Sequence, residues 1–258
     1  MKGLFVVGML ALPAVAFSAG AIDGTWKTKS DSYQVTGKPD DYVLSQGMFR
    51  CNSCIPPVMV KADGTDQSVT GHAYYDSIAV KVVGNTAVEI TRKKGGKVIN
   101  SISASVSGDG KTLTEKWVDY SGTQPAKGTS TSTRLTAAPA GSHAYSGTWQ
   151  QSKFSDGSDS LLTIKYASTA DGLTMEWNGQ SFDAKFDGKE YPIKNDPGKT
   201  TVTLKRIDAR TIEETDHRDG KVADVIRTTV SADGKALSVE DVSRLYGTKA
   251  TYTMTKQP

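Results

Sequence analysis

The chain repeats itself. Residues 61–114 align without a gap on residues 185–238, a constant offset of 124, with 16 identities in 54 positions. "KADG" at 61–64 falls on "KFDG" at 185–188, and "VSGDGKTL" at 106–113 falls on "VSADGKAL" at 230–237. The heads of the copies match too, "GTWK" at 24–27 with "GTWQ" at 147–150. Between the copies lies "TAAPAGSHAYS", residues 136–146, with the small-residue, Pro and Gly composition of a linker. The spacing therefore predicts a first unit over 21–135, a linker over 136–146 and a second unit over 147–258. Each is long enough to bury a core of its own.

Within a unit the pattern is that of strands. In the second copy "LTMEW" (173–177), "SFDAKF" (181–186), "TTVTLKRI" (200–207), "VADVIRTTVS" (222–231) and "KATYTMTK" (249–256) alternate apolar and polar residues with period 2. Asn178-Gly179, Asp187-Gly188, Asp219-Gly220 and Asp233-Gly234 punctuate them, the residue pairs that tight hairpins require. No long helical period is present. Short strands joined in this way form an antiparallel meander, which protects its edges by closing on itself. The expectation is an all-β protein of two tandem antiparallel up-and-down barrels.

The N-terminus reads differently. Lys2 precedes an apolar run from Leu4 to Phe17, followed by small residues with candidate A-x-A cleavage sites at 14–16 and 19–21. Residues 1–20 are expected to be a signal peptide, and the protein to be exported, periplasmic or extracellular, and soluble. The run is short for a membrane span, and no other is long enough. The net charge of +3 includes Lys2, and the remaining Lys and Asp are scattered through turns. No basic stripe is present to hold nucleic acid.

The G-x-W at the head of each unit, Gly24-Thr25-Trp26 and Gly147-Thr148-Trp149, resembles the opening motif of lipocalins and fatty-acid-binding proteins. The resemblance implies that Trp26 and Trp149 plug barrel ends, each under a basic residue of the last strand. Arg134 is the candidate for the first copy and Lys256 a weaker one for the second. "GMFRCNSCIPP", "KADGTDQSVTGHAYYD", "KRIDARTIEETDHRDGKV" and "VSADGKALSVEDVSRLYGT" are similar to segments of a group of uncharacterised exported bacterial proteins. That resemblance implies export and a tandem lipocalin-like fold, and assigns no activity.

Residues that could carry chemistry are few. The three histidines, His72, His143 and His217, fall in no metal-binding spacing, and no nucleophile elbow or phosphate loop occurs. No catalytic residue, metal ligand or cofactor is therefore expected. Glu213, Glu214 and Asp216 are read as a solvated strand face, since adjacent strand residues point to opposite sides. Cys51 and Cys54 are the only cysteines. No His follows Cys54, which excludes a c-type haem, and no helix start is visible to activate a thiolate. At the repeat offset, "CNSC" lies on the turn around Asn178-Gly179. The two cysteines are thus expected at a hairpin tip, as one disulfide with Asn52 and Ser53 between them.

The expected function is binding, without enzymatic activity, of a small apolar or amphipathic ligand inside or at the mouth of a barrel, its contact residues unknown. The alternative is an envelope module that holds a protein or glycan partner through its loops. Thiol–disulfide exchange at Cys51 and Cys54 is a third reading.

Overall fold

The computed structural model describes residues 20–258, so the segment expected to be a signal peptide lies, apart from its last residue, outside the described residues. The rest is all-β, as expected, and forms two nearly closed antiparallel barrels. The hairpins lie where the turn residues put them. Asn178 and Gly179 both adopt positive φ, and so do Asp219 and Gly220, the geometry that matches a two-residue turn to the twist of its strands. A one-turn helix, Asp159–Leu162, leads into the strand Thr163–Ser168.

The first barrel is a ten-stranded sheet running from Val58–Lys61 to Gln67–Ser68, and it closes through a bridge from Asp63 to Lys81 in Ser77–Val83, the strand next to that end. The second is an eleven-stranded sheet, whose ends meet through a bridge between Ser181 and Lys194. Each encloses its own core. Phe49, Val60, Val80, Ile90 and Leu113 are among the buried residues of the first, and Leu173, Phe182, Leu204, Ile212 and Leu237 of the second.

The units are not contiguous in the chain. Gly24–Thr28, the first strand of the first copy, lies between Thr163–Ser168 and Thr248–Lys256 in the second barrel. Gly147–Ser155, the first strand of the second copy, lies between Ala126–Thr136 and Asp40–Ser45 in the first barrel. The copies have exchanged their leading strands, which corrects the boundaries expected from the repeat. Two crossings make the exchange, at residues 38–39 and 156–162. The linker follows the same rule: Tyr145 is buried in the first core, as its counterpart Ile22 is in the second.

The plug tryptophans are exchanged with their strands. Trp26 belongs to the second core and Trp149 to the first, both fully buried. Their indole N–H groups make equivalent bonds, Trp26 Nε1 donating to the Ile22 carbonyl at 2.7 Å and Trp149 Nε1 to that of Tyr145 at 3.0 Å. The Arg134 guanidinium lies 4.0 Å from the Trp149 ring centroid, and Lys256 Nζ lies 5.2 Å from that of Trp26. Arg134 thus covers Trp149 rather than Trp26, and Lys256 covers Trp26 rather than Trp149, because each basic strand stays at home while its tryptophan is traded. The glycine of each G-x-W makes room for the base. A Cβ on Gly147 would stand 2.6 Å from Arg134 Nη1, and one on Gly24 would stand 2.7 Å from Lys256 Cε.

Candidate functional site

The barrels are clasped by loops of the first inserted on the second. Tyr74, from the loop between Gln67–Ser68 and Ser77–Val83, packs so closely on Gly198 that a Cβ there would lie 2.8 Å from its ring. Lys94 Nζ donates to the carbonyls of Ala73 and Pro197, tying one loop from each barrel. Gly122 rests on Asn178 of the opposing hairpin tip.

Beside this clasp a cavity of about 650 Å³ opens between the barrels. The first barrel supplies Tyr42, Arg92, Asn100, the Cys51–Cys54 loop and the Tyr74-Tyr75 loop; the second supplies Trp177, Arg218, Lys221 and Tyr246. Two barrels that pack imperfectly leave such a cleft, and in this one aromatic side chains from both barrels alternate with charged and polar ones.

Each tyrosine of the pair carries an arginine. The Arg92 guanidinium lies 5.4 Å from the Tyr75 ring centroid, and that of Arg218 lies 4.8 Å from Tyr74. Two adjacent residues of one loop therefore seat a cation from each barrel. His72 stacks on Tyr75 at 4.4 Å, and burial, with Arg92 nearby, lowers its pKa, so the ring is neutral at pH 7. Tyr74 is pushed up to about 12, chiefly by burial, and stays protonated.

Cys51 and Cys54 form a disulfide with Cα atoms 5.4 Å apart. Cys51 ends the strand Met48–Cys51 and pairs with Val58, so the bridge sits in a hairpin connection, as expected. The connection runs over six residues, 52–57. It borders the cavity, and the Pro56 ring touches Gly71 in the tyrosine loop. Trp26, Trp149 and Arg134 take no part in this cavity; Trp149 borders a smaller one of about 250 Å³, lined in part by the crossing residues Lys38 and Pro39.

The interiors next to the cavity differ in charge. In the first barrel Glu115 is pushed up to about 7, first by burial and then by Asp40, and its Oε1 accepts a hydrogen bond from Tyr145 Oη at 3.1 Å. In the second, Glu214, Asp216, Asp224 and Asp241 lie on the inward-alternating positions of three neighbouring strands. Asp216 stands directly opposite Asp224. Glu214 is only 6% exposed, which corrects its reading as part of a solvated face. Burial foremost, and then Asp216, holds its pKa well above the carboxylate range. Burial, helped by Asp224, pushes Asp216 to about 7 and Asp241 to about 6. Among the described residues no group of three acids, histidines or cysteines is arranged to hold a metal ion.

Of the residues singled out from the sequence, Cys51, Ser53, Cys54, His72 and the turn residue Asp219 reach the cavity. Arg92, Arg218, Tyr74, Tyr75 and Trp177 were missed. One signal was available: the repeat sets Arg92 against Asp216, a reversal of charge at an inward strand position.

The fold is that of an all-β protein built as two strand-exchanged barrels with a cleft between them. No family model and no curated protein matches the chain.

Proposed function

We propose that the protein is an exported, soluble, non-enzymatic binding protein that takes a small amphipathic molecule into the cleft between its barrels. The cleft supports this reading: about 650 Å³, enough for a ring-bearing organic molecule, with aromatic side chains from both barrels. The barrel interiors argue for the cleft over the expected barrel lumen, since both are packed with buried side chains. Export rests on Lys2 and the apolar run that follows it.

The test is a fluorescence titration with phenylnaphthylamine, a neutral apolar dye. Saturable binding at one dye per chain is expected, and Gln180→Trp, which fills the cleft from its wall, abolishes it. Absence of saturable binding, or binding indifferent to that substitution, defeats the proposal. The filled interiors also favour a second reading, an interaction module that holds a glycan or protein partner by its loops; on that reading the dye does not bind and the exposed loops are the contact.

A further inference from the structure

We infer that the ligand of this cleft is an organic anion with a flat apolar body, its charged head held by Arg92; this rests on the cleft being the binding site. Arg92 is positioned by Asn100 and Tyr75, with Asp40 and Glu115 of its own barrel within electrostatic reach. Its Nη1 donates to Asn100 Oδ1 at 3.1 Å, from the residue directly opposite on the next strand, and its guanidinium packs on Tyr75. Its Nε is buried and has no hydrogen-bond partner. Asp40 and Glu115 stabilise the Arg92 charge from a distance, and among the described residues neither closes to an ion pair with it. Arg92 as a whole is half-buried and borders the cleft, where an anion can accept a charge-assisted hydrogen bond from its guanidinium.

The other charges of the cleft orient such a ligand. Arg218, from the second barrel, has Nε committed to Thr200 Oγ1 at 3.2 Å, and its Nη2 is 4.0 Å from Asp224, at the limit of an ion pair. Lys221 adds a third cation. Asp40, Asp119 and Asp219 also line the cleft, so the total charge there is balanced. Asp119 already accepts from the Ser121 amide at 2.7 Å, and Ser53 Oγ lies 3.4 Å from Asp40. Selectivity must therefore come from the placement of Arg92 and not from bulk charge. Behind Arg218 stand Asp216, Asp224 and Asp241, which repel an anion from the second barrel. The head belongs on the first-barrel wall, at Arg92 and Asn100. The body lies toward Trp177, Leu245 and Tyr246.

The experiment compares two dyes on the full chain, anilinonaphthalene sulfonate and phenylnaphthylamine, which share the fused ring and anilino group and differ by the sulfonate. The sulfonate is expected to bind about tenfold tighter, the gain of one charge-assisted contact. Arg92→Gln should bring the two dyes to parity while phenylnaphthylamine keeps its affinity within about twofold. Arg92→Lys, which keeps the charge but not the fork, should retain part of the preference and serves if Arg92→Gln does not fold. Asp216→Asn should leave the preference in place. Equal binding of both dyes by the unmodified protein, or a preference that survives in Arg92→Gln or is undiminished in Arg92→Lys, overturns the inference and leaves the cleft standing. If neither dye binds, the cleft itself fails as a site, and the inference fails with it.

Discussion

Glu214 shows how one inward carboxylate can set the pH response of a barrel. It shares the inner face of the second barrel with Asp216, Asp224 and Asp241, facing Tyr166, Tyr252 and Arg218. Carboxyls titrate near 4 in an unfolded chain, but Asp216 is held here at about 7 and Asp241 at about 6, Glu214 is held well above its ordinary value, and Glu115 of the first barrel is held at about 7. The folded state therefore binds more protons than the unfolded state between those values, and stability falls as pH rises through that window. Exposed Asp63, Asp109, Asp187 and Asp233 have lowered pKa values through bonds from neighbouring hydroxyls and amides, and their contribution is lost only below about pH 4. Thermal unfolding should thus give a higher Tm at pH 5 than at pH 8, and Glu214→Gln should flatten the difference; a Tm that rises from pH 5 to pH 8 would refute this. The two motif glycines supply another contrast. At Gly147 an added Cβ meets Arg134 and also the Thr136 carbonyl at 2.7 Å, whereas at Gly24 it meets only the flexible end of Lys256. Both have positive φ. Gly147→Ala should cost about 2–3 kcal/mol in urea unfolding and Gly24→Ala about 1 kcal/mol less. Equal costs would mean that backbone strain, not the covering base, governs both sites.

At the scale of elements, the hairpins were legible because Asn-Gly and Asp-Gly have few other uses between alternating strands. The cysteine hairpin was legible through its duplicate, since a turn that one copy builds with Asn178 and Gly179 must have a counterpart in the other. Its length was not: two prolines after Cys54 keep the chain from pairing again until Val58. The bridge closes a loop with a sequence separation of 3, and a loop that short removes little freedom from the unfolded chain. Chain entropy gives about 2 kcal/mol, so a Cys51→Ala/Cys54→Ala double variant should remain folded with stability reduced by about that amount in urea. Complete unfolding of that variant would show that the connection 52–57 organises the whole first barrel. Arg92 and Tyr75 escaped the sequence reading for a different reason. A charged residue at an inward strand position shows its purpose only when its neighbours on other strands are known, and the tyrosine loop acquires its role only against the second barrel.

At the scale of the molecule, the duplication and fold class were legible and the exchange was not. Both copies open with Gly-Thr-Trp, so either strand satisfies either sheet, and periodicity cannot tell which partner it takes. Only the short crossings at residues 38–39 and 156–162 decide. A consequence can be measured. If a protease site is placed in the exposed stretch Pro139–Gly141 and cut, each fragment still has its leading strand hydrogen-bonded inside the other's barrel. The cut protein should elute from a sizing column at the position of the intact chain and separate only in denaturant. Two separate peaks in buffer would mean that the exchanged strands are not what holds the halves together.

The exchange also changes what the protein owes to mass action. A lone unit that gave away its leading strand would be complete only as a pair, with a population that rose and fell with its abundance. In such a pair both members would also carry every substitution alike. Joined in one polypeptide, the partner is always at hand and its effective concentration is fixed by the tether. The enforced symmetry goes as well. Arginine can stand at position 92 while aspartate stands at its counterpart 216, and the shared boundary becomes a cleft with two unlike walls.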